Sequence, residues 1–335
     1  MRRLILRGLL LCMLLAGCAA ERETPPAAGP EAEPERTAPY RFAVGYSGSG
    51  YTEVFQQWRE LVAEDTQENV ELLLYGENVL GEGKEMLQAV QRGTLSIMAS
   101  STSVHTQLVP EASVLDIPAC FPEYSQAFRV YEGAFFQALN QYYQKQGLEL
   151  LFLRTGEPWI ISSVEPVTSL EQLKNFRLRT SGSVCHNRLY DLLGVRCVED
   201  VGLSGLAYIL DENGVDGIET TYSILRSQDL LDVQPYALRG PMFVMSSAIV
   251  MNYDAFHSMP REYQDSIKER LRQILSQRQN EMSIQDEEQI HVRDLNPADQ
   301  EMLRRLAAPI RDEILESVEE ALVQALVQEN GTQPQ

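Results

Sequence analysis

Two arginines alternate with apolar residues in Phe176-Arg177-Leu178-Arg179, and the run is followed by Thr180-Ser181-Gly182-Ser183. Such a run forms a short strand whose period of two sets both guanidinium groups on one face, with Arg179 at the carboxyl end. A guanidinium is a planar fork that matches a carboxylate, and each charge-assisted hydrogen bond is worth about 1.5–3 kcal/mol. The chemistry on offer is therefore capture of an anion, with a solvated or ion-paired strand arginine as the competing reading. Catalysis has less to build on. Gly45-Tyr46-Ser47-Gly48-Ser49 has the outline of a nucleophile elbow, but its fifth position is Ser49 where that motif needs glycine. The candidate bases are His105, His186, His257 and His291. A glycine-serine loop is the better reading of that segment, and a secreted hydrolase using Ser47 or Ser49 the weaker one. The sequence has no Walker A motif, no GxGxxG after a strand, no HExxH and no Cys/His metal spacing, so neither a cofactor nor a metal is expected. Cys185 and Cys197 flank a short predicted helix and fit either a disulfide or two buried thiols.

The elements that must position these residues alternate between strand and helix. Tyr40 to Tyr46 is strand-like, and Tyr51, Val54, Phe55, Trp58, Leu61 and Val62 then recur at helical spacing. Val70 to Tyr75 and Thr94 to Ser100 read as strands around a helix marked by Met86, Leu87 and Val90. A helical region from Ala127 to Lys145, interrupted at Gly133, leads to a strand at Leu148 to Leu153. A second set follows. Strands are predicted at Trp159 to Ser163, Phe176 to Thr180, Arg196 to Val198 and Val215 to Glu219, with helices at Val184 to Leu193 and Leu203 to Leu210. Thr168 and Glu171 form a capping box for one helical turn. Phe243 to Met251 is a long strand, and helices are predicted after Pro260 and from Pro297 to Gln328. Two α/β sets exceed one ordinary core, so the fold expected is a two-lobed α/β one with a hinge and long C-terminal helices. Lobe I is expected at 40–155 and 244–290, and lobe II at 156–243 and 291–328. Open α/β sheets bind ligands beyond the carboxyl ends of their strands, so two facing edges make a cleft.

The chain opens with Arg2, Arg3 and Arg7, an apolar stretch through Leu9 to Ala16, and Gly17-Cys18. That is the layout of an export signal over residues 1–17, since the apolar run is far short of the roughly 20 residues that span a bilayer. Leu15-Ala16-Gly17-Cys18 resembles the lipobox of bacterial lipoproteins, which implies a lipidated Cys18 and an extracytoplasmic body held to the membrane by acyl chains alone. Residues 18–39 are rich in alanine, proline and glutamate and read as a tether. The formal charge is −20 with the three signal arginines counted, hence −23 without them. Such acidity excludes nucleic acid and anionic lipid surfaces as natural partners.

Four further blocks carry a family resemblance: Tyr75-Gly76-Glu77-Asn78-Val79-Leu80-Gly81 with Glu85, Gln91 and Gly93; Leu115-Asp116-Ile117-Pro118 with Phe121; Leu173 to Arg179; and Val215-Asp216-Gly217-Ile218-Glu219. In this order, behind an export signal, the chain resembles the solute-binding proteins of tripartite ATP-independent periplasmic (TRAP) transporters, the DctP family. The resemblance implies a two-lobed α/β periplasmic binding protein type II-like fold, a small organic acid ligand, an integral membrane TRAP permease as partner, no catalysis, and a salt bridge from Arg179 to the ligand carboxylate. Tyr46, Ser47, Glu77, Ser101, Trp159, Thr220 and Tyr222 are the further pocket candidates, the aromatic ones having a core reading as well. Two departures matter. Pro158 stands where some members place a second arginine, and Thr220 stands where asparagine is frequent. Both point away from C4-dicarboxylate and sialic acid, toward a ligand with one carboxylate and some apolar or aromatic character. A ligand-sensing subunit of a membrane receptor would use the same fold.

Overall fold

The computed structural model describes residues 38–46, 49–118, 130–199, 201–212, 214–279 and 290–330. The expectations for the export signal, for Cys18 and for nearly all of the tether lie outside these residues.

β1 (Tyr40–Tyr46) and β2 (Val70–Tyr75) pair in parallel, with Tyr40 opposite Val70. Their crossover is the helix Thr52–Asp65, which buries Val54, Phe55, Trp58 and Val62 along one stripe. The Trp58 indole N–H donates to the Ile267 carbonyl at 3.0 Å, tying this helix to the later helix Arg261–Gln279. The helix ends at Thr66, after which Gln67 and Glu68 take positive φ and turn the chain into β2. β3 (Ile97–Ser101) pairs with β1 in parallel.

A nine-stranded sheet runs in the order β2-β1-β3-β8-β4-β7-β5-β6, with β9 (His291–Asp294) added to one end of β8. β4 (Leu148–Ser163) and β8 (Tyr236–Asn252) form its antiparallel centre. β1 to β3 flank this pair on one side; β5 (Arg177–Arg179), β6 (Arg196–Val198) and β7 (Gly217–Thr220) flank it on the other. Separate apolar clusters form around Trp58 and Phe152, around Tyr143 and Leu189, and around Ile160 and Ile218. Glu149 is buried among Asn140, Gln144 and Lys268, whose ammonium lies 2.5 Å from its carboxylate.

Several elements differ from the sequence expectation. The two strands expected at Leu148 to Leu153 and Trp159 to Ser163 are one, continuous through Pro158. Register shifts at Leu150/Phe152, Thr155/Pro158 and Pro158/Ile160 let a residue without an N–H sit inside it. The final helix is two, Pro297–Ser317 and Glu320–Asn330, broken where Val318 leaves helical geometry at φ −106 and ψ 158. In place of the Thr168–Glu171 box, the Thr168 N–H donates to the Gln172 side chain at 2.6 Å. Cys185 and Cys197 are thiols and not a disulfide. The helix Ala134–Lys145 starts directly after Gly133, and residues 119–129 of the expected helical region lie outside the described ones. Among the described residues no helix is long and apolar enough to cross a membrane.

Candidate functional site

β5 is three residues long, yet its two arginines meet different fates. Arg177 is half-exposed and binds Asp216, with Nη2 to Oδ1 at 2.5 Å; this holds the Asp216 carboxyl below its ordinary range. Arg179, at the strand's carboxyl end, is only 7 % exposed. Its Nε and Nη2 groups donate to the Val201 carbonyl at 2.8 and 2.6 Å, and among the described residues no carboxylate lies within ion-pair distance. Burial pulls its pKa down, and the fields of Glu219 and Glu82 pull it partly back. A guanidinium keeps its charge in any protein, so among the described residues the site holds a buried cation with no paired anion.

Arg179 opens onto a cavity of about 380 Å³. From β4 come Arg154, Glu157 and Trp159, and from the end of β3 Ser100 and Ser101. The Arg154 guanidinium stands 5.5 Å from the Tyr51 ring centroid, and the Tyr51 hydroxyl donates to Ser247 at 2.6 Å. Glu157 accepts from the Ser223 N–H at 2.9 Å and from the Ser223 hydroxyl. Glu82 accepts from the Ser204 hydroxyl. A Cβ built at Gly202 would come within 2.3–2.8 Å of the Glu82 carboxyl atoms, so a side chain there would push that carboxylate aside. The hydroxyl of Thr180 is buried with no partner among the described residues.

Beneath this wall lies a second charged cluster. Glu219, fully buried on β7, accepts from His186 Nδ1 at 2.7 Å, from the Tyr190 hydroxyl at 2.8 Å and from the Ser181 N–H at 2.7 Å. Burial works to raise its pKa, but the His186 charge and these hydrogen bonds outweigh it and hold the carboxyl at about 2. Burial likewise works to lower His186, and Glu219 reverses the sign, leaving it above its ordinary value. The imidazole stacks on Phe243 at 3.5 Å and meets Trp159 edge-on at 5.9 Å.

Of the residues singled out from the sequence, Arg179, Ser101 and Trp159 line the cavity together. Tyr46 does not; its ring packs against Phe55 at 4.9 Å in the core. Glu77 is exposed in a turn with φ +55. Thr220 is buried in β7, and Tyr222 packs against the Ile160 cluster; Thr221 and Ser223 line the cavity in their place. The physical reason is that β7 ends at Thr220, so strand alternation stops there and Thr221 caps the helix Tyr222–Ser227 by accepting from the Ile224 N–H. Ser47 lies outside the described residues. Arg154 and Glu157 were missed, although a cation closing an otherwise apolar run is a readable signal. Among the described residues, no group of three His, Cys, Asp or Glu side chains is arranged to hold a metal.

The model of bacterial extracellular solute-binding proteins, family 7 (DctP), matches residues 45–328. The chain belongs to this family. A TRAP periplasmic solute-binding protein from Desulfovibrio salexigens, solved with orotic acid, superposes with a TM-score of 0.79 at 20% identity, covering 87% of this chain and 99% of that one. The galactonate complex of the sugar acid binding protein from Advenella mimigardefordensis gives 0.78 at 19% identity, over 88% and 98%. The 2,3-diketo-L-gulonate-binding periplasmic protein of Escherichia coli is 21% identical over 213 residues, 63% of this chain and 65% of that relative. The α/β fold expected from the sequence is thus the two-lobed fold of DctP-family proteins. Family and neighbours are binding proteins, and nothing in them points to catalysis.

Proposed function

We propose that this DctP-family protein captures a small organic acid in the cavity at Arg179 and delivers it to a TRAP-type membrane permease. The observation that carries this reading is the buried Arg179 guanidinium, which among the described residues has no carboxylate within ion-pair distance and faces a cavity lined by hydroxyls. A ligand carboxylate supplies the missing charge. The Val201 carbonyl already holds one edge of the fork and so fixes the direction of the remaining N–H groups. Residues 40–155 with 244–290 act as one lobe and 156–243 with 291–328 as the other, closing over the acid through contacts made only when it is bound. The acyl chains on Cys18 keep the body near its permease, with residues 18–39 as the spacer.

Titration calorimetry with galactonate, L-gulonate and orotate identifies which acid binds; Arg179→Ala then costs about 2–5 kcal/mol of affinity. An unchanged affinity removes Arg179 from the site and the reading with it. Metabolic labelling with a fatty acid, compared between the full chain and Cys18→Ser, tests the anchor.

A further inference from the structure

Arg179 takes its hold from an irregular stretch of chain, and that stretch is tied down by a residue far away in sequence. The Val201 carbonyl that accepts from Nε and Nη2 lies past the end of β6 at Val198 and before the single 3-10 turn Leu203–Gly205. No strand ladder sets its position. Within the stretch, the Gly205 N–H donates to the Gly202 carbonyl at 3.1 Å. From outside it, Glu82 accepts from the Ser204 hydroxyl and lies with its carboxyl group against Gly202. The Gly202 backbone, at φ −68 and ψ 174, is open to any residue, so what matters there is room for the carboxylate.

Glu82 is itself firmly based. It stands at the N-cap of the helix Gly83–Gln91, where its carbonyl accepts from the Met86 N–H at 3.0 Å. A carboxylate in that place could serve the orphan N–H groups of its own first turn, yet the Glu82 side chain makes no such cap. It reaches instead to a hydroxyl 122 residues away, on an exposed side chain. The reach has an electrostatic side as well. Glu82 is near enough for its field to support the Arg179 charge, but it stays outside ion-pair distance. An anion in contact would occupy the N–H groups that face the cavity; held on Ser204, the carboxylate leaves them to the ligand.

Building on the proposal that Arg179 binds an organic acid, we infer that Glu82 is a positioning residue: through its bond to Ser204 it fixes the stretch from Val201 to Ser204, and the Val201 carbonyl then fixes the direction of the Arg179 fork. The part Glu82 plays is carried by that relay and needs no contact with the acid.

The test observes Arg179 in the full protein without ligand, so its failure leaves the acid-binding reading standing, and that reading falls only on the calorimetry of Arg179→Ala. In the proton–nitrogen NMR spectrum the Arg179 Nε–H is identified by its loss in Arg179→Lys. Its hydrogen exchange with solvent is then compared in Glu82→Ala, Ser204→Ala, the double variant and Glu82→Gln, with circular dichroism melting as the check on folding. Glu82→Ala and Ser204→Ala should each speed exchange about tenfold, the worth of one charge-assisted hydrogen bond, and the double variant no more than either alone. Glu82→Gln, whose amide oxygen still accepts from Ser204, should stay within about twofold of the parent. Rescue by glutamine separates the relay from a general loosening of the fold. If Glu82→Ala does not fold, Ser204→Ala carries the same expectation from an exposed side chain. Unchanged exchange in the alanine variants overturns the inference. So does a Glu82→Gln rate equal to that of Glu82→Ala, which would make the charge and not the bond the cause, and so does an Arg179 Nε–H that exchanges freely in the parent.

Discussion

Arg179 and Glu219 sit on adjacent paired strands, Arg179 opposite Ile218, and both are buried charges, yet they are treated in opposite ways. Glu219 accepts three hydrogen bonds from His186, Tyr190 and Ser181 and has a cation beside it. Among the described residues Arg179 has one backbone carbonyl and no anion. A fully paired buried charge costs little to keep and much to disturb, so it serves as scaffold. An unpaired one costs stability at rest and recovers that cost when a partner arrives, which is the energetic signature of a binding site.

Breaking the paired side should give the largest effect. Glu219→Gln removes the carboxylate that accepts from His186, Tyr190 and Ser181 and should cost about 3–5 kcal/mol of stability in a urea titration; an unchanged midpoint would show that the cluster is not scaffold. On the unpaired side the sign reverses. Arg179→Met, which keeps the volume and removes the charge, should leave the ligand-free protein as stable as the parent or more so, while abolishing any ligand-induced rise in melting temperature. A large loss of ligand-free stability would put both residues in the same class.

The pH dependence sharpens the contrast. Glu219 titrates below its ordinary value, so its contribution is fully present above about 4.5 and is lost as pH falls toward about 2. His186 titrates above its ordinary value, so its contribution is fully present below about 6.5 and is lost as pH rises through the raised pKa. The pair contributes most between those limits. Melting curves across pH 3 to 9 should show a plateau there whose acid edge disappears in Glu219→Gln. The smallest effect belongs to Thr180→Val, which removes a buried hydroxyl that has no partner among the described residues: stability should hold or rise slightly, and affinity for an acid held at Arg179 should fall by about 1 kcal/mol. A loss of stability there would mean that the hydroxyl has a partner in the ligand-free protein.

Much of this arrangement was legible in the residues themselves. Apolar periodicity located most elements to within a few residues, and the alternation in Phe176 to Arg179 put Arg179 at a strand end. What alternation could not convey is where it stops. Beyond Thr220 the chain turns into a helix cap, so the lining residues are Thr221 and Ser223 and not the pair one position earlier. Tyr46 and Trp159 were equally plausible as core or wall, because an aromatic ring satisfies either; only packing against Phe55 on one hand and His186 on the other distinguishes them. The Cys185 and Cys197 thiols were undecidable for the same reason, since burial alone leaves no pattern in spacing.

The irregularity in β4 has a consequence beyond its own bend. Arg154 and Glu157 are three apart, so in a regular strand they would point to opposite faces. Between Thr155 and Pro158, β4 spends three residues where β8 spends two, and this one-residue phase slip accompanies their meeting in one cavity. A strand with such a slip works like a vernier. Adding or deleting one residue inside it would exchange the set of side chains offered to the ligand while the flanking ladder, and everything packed on it, stays in register. In a lineage of binding proteins that shares one scaffold across many acids, this is an economical place for new specificities to arise.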